Sequence, residues 1–387
     1  MKFFHLSDLH IGLKLYNREL DDDQRHIFDQ ICAAAEREHP DAILIAGDIY
    51  DKAIPSAEAV KRFDQFTANL MEAAPNAALM MISGNHDSAP RLNLFRDILR
   101  RQKLYMIGMP PQTPEEFIQQ VRLEDEHGPV NFYLLPFVKP SMVKAVLGTD
   151  ENGNNLSYDA TLHALIGREN IDRSQRNVLV SHQFYLPAGE TAEEMERMDS
   201  EILTVGNIDM VRADVLEPFD YAALGHIHKP MRVGNDRFRY CGTPLACSLS
   251  EAGQQKGIIM VELGGKGDVK TTVLPLIPKR QVKRIKGELE EVLAQNCEDF
   301  VSVTLTDKVD LDVMDMQDRL RHAFPYLLEI RRETAGLPNY DMEYVPESGM
   351  TPYELCCAFL GELDEESTAI LQDAVNSAVN SSEEVAK

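Results

Sequence analysis

The chain is short of positive charge for its length. Its 387 residues carry 39 Lys and Arg against 63 Asp and Glu, so the formal net charge is −24. Affinity for nucleic acids comes largely from Lys and Arg on phosphates, so the whole surface matches a polyanion poorly. Any nucleic-acid site must therefore be local, metal-assisted or shared with a partner.

Two other features are missing as well. The six cysteines include no C-x-x-C pair, and no signal peptide is visible, so we expect reduced thiols in a cytoplasmic protein. No apolar run reaches the length needed to cross a membrane. Hydrophobic content of 44% and charged content of 26% are ordinary for a globular protein, and the length predicts two or more units.

Three strand–helix pairs are predicted in the first hundred residues. Short apolar runs bounded by polar turns indicate buried strands, and apolar residues at helical spacing indicate the helices between them. The predicted elements are a strand at Lys2–Leu6, a helix at Asp21–Glu38, a strand at Ala42–Ala46, a helix capped by Ser56, a strand at 78–83 and a helix through Leu94 and Ile98. This alternation predicts a sheet covered by helices, in which ligands gather beyond the carboxyl ends of the strands.

Five polar clusters follow predicted apolar strands. They are Asp8-x-His10, Gly47-Asp48-x-x-Asp51, Gly84-Asn85-His86-Asp87, His182 and Gly225-His226-x-His228. One D-x-H pair alone is weak evidence, because an exposed aspartate beside a satisfied histidine is the common case. Chance rarely places complementary ligand types at five successive strand ends, so the set indicates a functional site.

The clusters offer a characteristic mixture of metal ligands. They supply two carboxylates, one amide oxygen and four imidazoles as direct ligand candidates. That is too many for one tetrahedral ion and suits two ions bridged by a shared carboxylate. The absence of a thiolate argues against structural zinc, and a carboxylate with imidazoles suits a metal such as Mn, Fe or Zn.

The ordered motifs resemble those of the calcineurin-like metallophosphoesterases. Within that superfamily they are most similar to the SbcD family, the nuclease subunits of bacterial SbcCD DNA-repair complexes. The segments that carry the resemblance are S-D-L-H-I-G at 7–12, A-G-D-I-Y-D at 46–51, S-G-N-H-D-S at 83–88, A-L-G-H-I-H at 223–228 and Y-C-G-T-P at 240–244. We therefore expect an α/β protein: a four-layer α/β/β/α sandwich, a small α+β capping domain and a C-terminal helical pair.

The resemblance also implies a ligand set for two ions. One ion is held by Asp8, His10, Asp48 and His228, and the other by Asp48, Asn85, His182 and His226, with Asp48 as the bridge. The family usually binds Mn²⁺, and Mg²⁺ or another divalent ion is the alternative. His86 is then the catalytic residue that faces the scissile phosphate, and Asp87 orients it. Archaeal and eukaryotic relatives carry a histidine where this chain has Asp51, which leaves Asp51 without an assigned role.

Histidines and basic residues outside these clusters have simpler explanations. His5, His26, His39, His127, His163 and His322 are expected to be surface or satisfied core residues. Five cations crowd into eight residues after Pro278: Lys279, Arg280, Lys283, Arg284 and Lys286. They are candidates for contacts with the DNA backbone, and a solvated interdomain strand is the default interpretation.

Changes in pattern suggest four regions along the chain. We predict a metallophosphoesterase nuclease domain at 1–275, a capping domain at 276–335, a linker at 336–350 and C-terminal helices at 351–387. Two short helices beyond a linker offer too little surface to bury their apolar stripes alone, so we expect them to dock on a partner. Folding back onto the capping domain is the alternative.

By resemblance, the expected function is that of a Mn²⁺-dependent DNA nuclease in repair, recombination and replication. Such a protein acts as an endonuclease on single strands and hairpins. With an SbcC-like coiled-coil ATPase it is an ATP-dependent exonuclease on duplex ends, as a homodimer within a heterotetramer in the cytoplasm or at the nucleoid. One alternative is a small-molecule or cyclic-nucleotide phosphodiesterase on the same metal core. Another is a non-catalytic subunit that positions SbcC on DNA.

Overall fold

The computed structural model describes residues 1–186, 209–307 and 312–333, together with a few helical positions between 353 and 375. The chain divides into two compact units, Met1–Arg332 and Glu333–Lys387. The strands are β1 (Lys2–Leu6), β2 (Lys14–Leu15), β3 (Arg18–Glu19), β4 (Ala42–Ala46), β5 (Ala78–Ile82), β6 (Leu104–Ile107), β7 (Gln119–Asp125), β8 (Gly128–Leu135), β9 (Arg176–His182), β10 (Phe184–Leu186), β11 (Met210–Arg212), β12 (Tyr221–Gly225), β13 (Met231–Val233), β14 (Asn235–Tyr240), β15 (Gly257–Leu263), β16 (Val269–Pro275), β17 (Val282–Gly287), β18 (Phe300–Leu305) and β19 (Leu327–Arg332). The helices are α1 (Asp21–Glu38), α2 (Ala57–Ala73), α3 (Ala89–Leu92), α4 (Arg96–Leu99), α5 (Lys144–Leu147), α6 (Tyr158–Gly167), α7 (Leu289–Leu293) and α8 (Val313–Ala323), with 3₁₀ turns at Arg100–Gln102, Pro140–Val143, Ala213–Leu216 and Leu249–Glu251.

The first large sheet has the strand order β16-β15-β1-β4-β5-β6. Strands β1, β4, β5 and β6 are parallel to one another, while β15 runs antiparallel to β1 and β16 antiparallel to β15. Because β1, β4 and β5 are adjacent and parallel, their carboxyl ends meet at one edge of the sheet. The first three polar clusters leave the sheet at this edge.

The second large sheet has the order β13-β14-β12-β9-β8-β7. Its middle strands β8, β9, β12 and β14 are parallel, and the edge strands β7 and β13 are antiparallel to their neighbours. In the register between β9 and β12, His182 lies opposite Gly225. The two remaining clusters therefore also leave their sheet side by side.

The two sheets pack face to face and are covered by helices on their outer faces. Phe3 of the first sheet makes edge contacts with Phe132 and Tyr221 of the second, with ring centroids 5.6 and 5.7 Å apart. A separate core joins the first sheet to α1 and α2, and another joins the second sheet to α6. The predicted α/β class is confirmed, with the layers in the order α/β/β/α.

A small three-stranded sheet follows the sandwich. It has the order β17-β18-β19 with all strands parallel, and α7 and α8 pack on it around a core of its own that includes Val303 and Leu320. The predicted linker at 336–350 lies outside the described residues. The same holds for the C-terminal helical pair, apart from helical positions at 353, 357, 367, 368, 370–372 and 375, and the domain boundaries stay predictions. Among the described residues, no helix is both long and apolar enough to cross a bilayer.

One sequence prediction of secondary structure is wrong in detail. The predicted helix through Leu94 and Ile98 is two four-residue helices, α3 and α4. They are separated because Phe95 adopts a left-handed conformation with φ of 60°, which a continuous helix cannot contain. By contrast, α1 has the predicted bounds.

Candidate metal centre

The structure brings all five polar clusters to one place between the two sheets. The contacts that join the sheets here include a bond from the backbone N–H of His226 to Asp8 Oδ1 at 3.1 Å and one from His182 Nδ1 to the carbonyl of Ala46 at 2.7 Å. Every candidate metal ligand except Asn85, which is half-buried, is buried. The site is therefore formed only when the two sheets pack together.

The backbone is unusual at the candidate ligands themselves. Asp8, His10, Asp48 and His226 all have positive φ, at 53°, 42°, 48° and 100°. Such conformations are uncommon for residues other than glycine and cost free energy, and they cluster at functional sites. The surrounding hydrogen bonds hold them: Asp8 N donates to the Gly47 carbonyl and His10 N to the Asp48 carbonyl.

One half of the site contains Asp8, His10 and His228. His10 Nε2 lies 3.1 Å from His228 Nε2 and 3.8 Å from Asp48 Oδ2. His228 Nε2 lies 4.0 Å from Asp8 Oδ1. Asp8, His10 and His228 each offer a ligand atom within 4.8 Å of the others, so one ion could contact all three.

The other half contains His182, Asn85 and His226. Asn85 Oδ1 lies 2.9 Å from both His182 Nε2 and His226 Nδ1. Asp48 Oδ2 lies 3.3 Å from His182 Nε2. Asp48 Oδ2 thus faces His182 in this half and His10 in the other half.

The donor set fits a divalent cation. The Ala46 carbonyl can only accept a hydrogen bond, so His182 Nδ1 must carry the proton, and in the neutral ring Nε2 is an acceptor. That acceptor faces the carboxylate oxygen of Asp48, which is also an acceptor. A positive charge between them, either a proton on Nε2 or a metal ion, reconciles this geometry. Imidazole, carboxylate and amide oxygen are ligands that Mn, Fe and Zn accept.

Burial and mutual charge control protonation in the site. Burial raises the pKa of Asp8 to about 6, against the pull of His182 and His228. Burial lowers the pKa of His10 to about 3, which favours the neutral imidazole that a metal requires. Burial alone would raise the pKa of Asp48 and lower that of His182. The charge attraction and hydrogen bond between the two residues outweigh burial, so the pKa of Asp48 falls below its usual range and that of His182 rises to about 9.

His86 lies at the rim of the site, with 18% of its side chain exposed. Its backbone N–H donates to Asp48 Oδ1 at 2.8 Å, and its Nδ1 donates to the backbone carbonyl of Asp51 at 2.9 Å. His86 Nε2 lies 4.0 Å from Asp48 Oδ2. The ring therefore presents Nε2 to the same region as the candidate ligands.

Asp87 is predicted to orient His86, and in the structure the hydrogen-bond partner of the His86 ring is the Asp51 carbonyl. Both oxygens of Asp87 accept backbone N–H groups instead, from Gly84 at 2.9 Å, Ile49 at 3.0 Å and Tyr50 at 2.9 Å. Asp87 thus joins the loops after β4 and β5. The assignment of Asp87 as a catalytic residue that orients His86 stays a prediction.

Two glycines are required by the close approach of neighbouring strands. A Cβ on Gly225 would collide with the Ala46 carbonyl and lie 2.8 Å from His182 Nδ1. A Cβ on Gly84 would overlap the Asp48 carboxylate. A side chain at either position would therefore displace a candidate ligand.

All five basic residues predicted to contact DNA have partners. Arg280 donates to Asp23 Oδ2 at 2.6 Å and to the Tyr326 hydroxyl at 2.8 Å, with its guanidinium 4.0 Å from the Tyr326 ring centroid. The others contact Asp22 (Lys279), Asp299 (Lys283) and the Leu249 carbonyl (Arg284). Lys286 also has a partner. Both the DNA contacts and the default interpretation of a solvated interdomain strand stay predictions.

Sequence analysis missed several residues that surround the site. Gln24 of α1 donates to the His10 carbonyl at 2.8 Å, and Phe137 stacks against His226 with ring centroids 6.4 Å apart. Glu251 lies 3.4 Å from His228 Nδ1. None of these residues belongs to a local motif. The acidic residue Glu251, soon after the 240–244 segment, is the one that its position in the sequence could have suggested. By contrast His5, outside the clusters, is a core residue with partners on both ring nitrogens.

Comparison with known families agrees with this geometry. The model of the calcineurin-like phosphoesterase family matches residues 1–230. A second model, SbcD_C, described as a type 5 capsule protein repressor C-terminal domain, matches residues 278–355. The first match covers every candidate metal ligand, and the second covers the small sheet.

Solved structures that match this chain include three of diverse origin. TT1561 of Thermus thermophilus is 12% identical, with a TM-score of 0.37 over 70% of this chain and 98% of its own. GAP50, the anchor in the inner membrane complex of Plasmodium, is 12% identical, with a TM-score of 0.40 over 91% of this chain and 99% of its own. A dimetal phosphatase from Danio rerio is 13% identical, with a TM-score of 0.40 over 72% of this chain and 99% of its own.

Proposed function

The chain belongs to the calcineurin-like phosphoesterase family, whose members are metal-dependent phosphoester hydrolases, and from this premise we propose that it is a DNA nuclease subunit of the SbcD type. The observation that supports the proposal best is the position of Asp48. Its Oδ2 lies 3.3 Å from His182 Nε2 and 3.8 Å from His10 Nε2, between the two groups of candidate ligands. A carboxylate so placed suits a bridge between two ions.

The chain's residues divide into two metal sites. Asp8, His10, Asp48 and His228 would hold one ion, and Asp48, Asn85, His182 and His226 the other; Mn²⁺ is the ion we propose. When bound, such ions supply Lewis-acid stabilisation of phosphate charge and make water more acidic. Because every ligand but Asn85 is buried and backbone hydrogen bonds hold the ligand loops, little reorganisation is needed when the substrate arrives.

His86 would transfer a proton during phosphodiester cleavage. The Asp51 carbonyl keeps a proton on Nδ1, so Nε2 is the atom that gains or loses one. His86 is partly exposed at the rim, where a substrate phosphate can reach it. In this position the protonated ring stabilises charge on the phosphate and gives its Nε2 proton to the leaving oxygen.

We propose an SbcC-like coiled-coil ATPase as the partner, on the evidence of the second family match at residues 278–355. With this partner the subunit would act on duplex ends in an ATP-dependent way, and alone on single strands and hairpins. A homodimer within a heterotetramer is the expected assembly, acting in DNA repair in the cytoplasm or at the nucleoid. The net charge of −24 is a further reason to expect that a partner supplies part of the DNA-binding surface.

The test is a nuclease assay with the purified full chain. The protein is incubated with MnCl₂ and labelled single-stranded, hairpin and duplex DNA, beside bis-p-nitrophenyl phosphate. Asp48→Asn serves as the inactive control. Asp220→Asn, which alters a buried carboxylate just before β12, at the opposite end of that strand from Gly225, controls for damage to the fold.

We expect Mn²⁺-dependent cleavage of single-stranded and hairpin DNA by the wild type and Asp220→Asn, and none by Asp48→Asn. Cleavage of the small diester without any DNA cleavage would replace the nuclease proposal by a small-molecule phosphodiesterase. No cleavage of any substrate, with metal bound, would point to a subunit that only positions its partner.

A further inference from the structure

A buried carboxylate lies directly behind one candidate metal ligand. Glu251, at the end of the 3₁₀ turn Leu249–Glu251, is 1% exposed. Its Oε1 accepts from Cys247 N at 3.2 Å and Ser248 Oγ at 3.2 Å, and lies 3.4 Å from His228 Nδ1. The carboxylate is thus held in place by its own turn while it faces the imidazole.

The second oxygen of Glu251 is held by a buried lysine. Oε2 accepts from Lys256 Nζ at 2.6 Å and from Thr243 Oγ1 at 2.7 Å. Lys256 is 6% exposed, and its Nζ also donates to the backbone carbonyl of His228 at 3.0 Å. The Glu251–Lys256 pair therefore contacts His228 at both its ring and its main chain.

The two nitrogens of the His228 ring face different surroundings. Nδ1 faces Glu251, whereas Nε2 faces His10 Nε2 at 3.1 Å and Asp8 Oδ1 at 4.0 Å. A carboxylate beside Nδ1 favours the tautomer with its proton on Nδ1, which leaves the lone pair on Nε2. That lone pair points to the half of the site where the other ligands lie.

We propose that the Glu251–Lys256 pair is a positioning device for His228. Glu251 sets the tautomer and the plane of the ring, and Lys256 holds the Glu251 carboxyl group in place and anchors the His228 carbonyl. The inference rests on the proposed two-metal site. It adds a pair of residues that contacts His228 in space but lies outside every ligand motif in the sequence. Removal of a carboxylate that orients a ligating imidazole typically lowers metal affinity by about 10–100-fold.

A different role for this cluster is a separate metal site. His228, Cys247 and Glu251 each offer a ligand atom within 4.8 Å of the others. The Lys256 ammonium contacts Glu251 at 2.6 Å and already compensates its charge, and the Cys247 thiol donates to the Leu245 carbonyl at 3.4 Å. A cation would have to displace both contacts, so the geometry favours the positioning role.

The test measures metal binding rather than activity. Mn²⁺ is titrated calorimetrically into the metal-free full chain, as wild type, Glu251→Gln and the double variant Glu251→Gln/Lys256→Met. The double variant removes both charges together, so that no uncompensated charge is left in the core if the single variant fails to fold. The matched controls are Asp220→Asn and Asp220→Asn/Lys266→Met, because Asp220 is 2% exposed and pairs with Lys266 at 2.8 Å.

We expect the wild type and the controls to bind two equivalents of Mn²⁺. In the Glu251 variants one equivalent should bind about 10–100-fold more weakly while the other stays within about threefold of the wild type. Two equivalents of unchanged affinity, or equal weakening of both, would overturn the positioning role. A wild type that binds no Mn²⁺ would overturn the two-metal proposal itself, and a third equivalent lost with Glu251→Gln would replace the inference by a separate metal site.

Discussion

The Nδ1 atom of His86 lies 2.9 Å from the backbone oxygen of Asp51. This contact joins the loop after β5 to the loop after β4, which also carries Asp48. Because the acceptor is a backbone carbonyl, the orientation of His86 depends on the path of the loop rather than on the charge of a side chain. The hydrogen bond to this carbonyl favours the tautomer with the proton on Nδ1, which turns Nε2 towards the candidate ligands.

We expect His86→Gln to keep metal binding and lose most of the cleavage rate. Positioned proton transfer typically contributes about 10²–10⁴-fold, and glutamine cannot supply it. Single-turnover cleavage of single-stranded DNA at saturating Mn²⁺ measures the loss, and calorimetry measures the metal. A loss below tenfold would contradict the catalytic role, whereas loss of metal would reassign His86 as a ligand.

Asp48→Asn should abolish cleavage and weaken both metal equivalents. Its Oδ2 faces ligands of both halves, so replacing the carboxylate by an amide removes a charge that both ions share. Metal analysis and Mn²⁺ titration of the purified variant measure the effect beside Asp220→Asn. Retention of two equivalents with normal affinity would show that Asp48 is not the bridge.

Gly84→Ala should lower stability and metal affinity together. The added Cβ would overlap the carboxylate and backbone nitrogen of Asp48, and overpacking of this kind costs about 1–3 kcal/mol. Gly167→Ala at the end of α6 is the control, because a Cβ there meets no atom within 4 Å, and it should be neutral or stabilising by up to about 1 kcal/mol. Urea unfolding and Mn²⁺ titration check both variants. Equal stability and equal metal affinity of the two variants would contradict the close approach of Gly84 to Asp48.

Asp125→Asn should destabilise the chain at neutral pH by about 1.5–3 kcal/mol, a typical value for hydrogen bonds to charged groups. Two bonds from Arg176, at 2.5 and 3.0 Å, hold the pKa of Asp125 well below its usual range. A carboxyl group whose pKa is lowered in the folded state stabilises the folded state at pH values above its unfolded-state pKa of about 3.9. This stabilisation is lost as the pH falls below that value.

The difference in the free energy of unfolding between wild type and Asp125→Asn should therefore be constant from about pH 7 to 5 and shrink below about pH 4. Urea unfolding across this range measures it. Asp236→Asn, which alters an exposed pair with Arg232, is the control and should change stability by less than about 1 kcal/mol. A difference that grows on acidification would contradict the assignment.

Removal of residues 347–387 should spare the nuclease and abolish partner binding. The segment carries nine acidic residues and one lysine, so an apolar partner surface with a basic rim would complement it. Pull-down with an SbcC-type ATPase and cleavage of single-stranded DNA by the isolated subunit are measured side by side. A truncation of residues 381–387 alone is the control, and full binding by the long truncation would favour a tail that folds back onto the chain.

The sequence alone indicated which strand ends carry the candidate ligands. Each candidate ligand lies within a few residues of a strand end, and parallel neighbouring strands bring their carboxyl ends together at one edge of each sheet. Apolar runs and helical spacing also determined α1 and the α/β class. These features depend on local chemistry, which a linear pattern records.

Other features were decided only by the tertiary structure. The choice of the Asp51 carbonyl as partner of His86 depends on the path of two loops, and the break at Phe95 depends on a single left-handed residue. Glu251 and Lys256 reach His228 from 23 and 28 positions along the chain, through a turn that no motif marks. Contacts of this kind arise from the packing of the two sheets and the small turns around them. Sequence periodicity cannot show them, because it reports which face of an element is buried but not which atom of a distant element lies opposite.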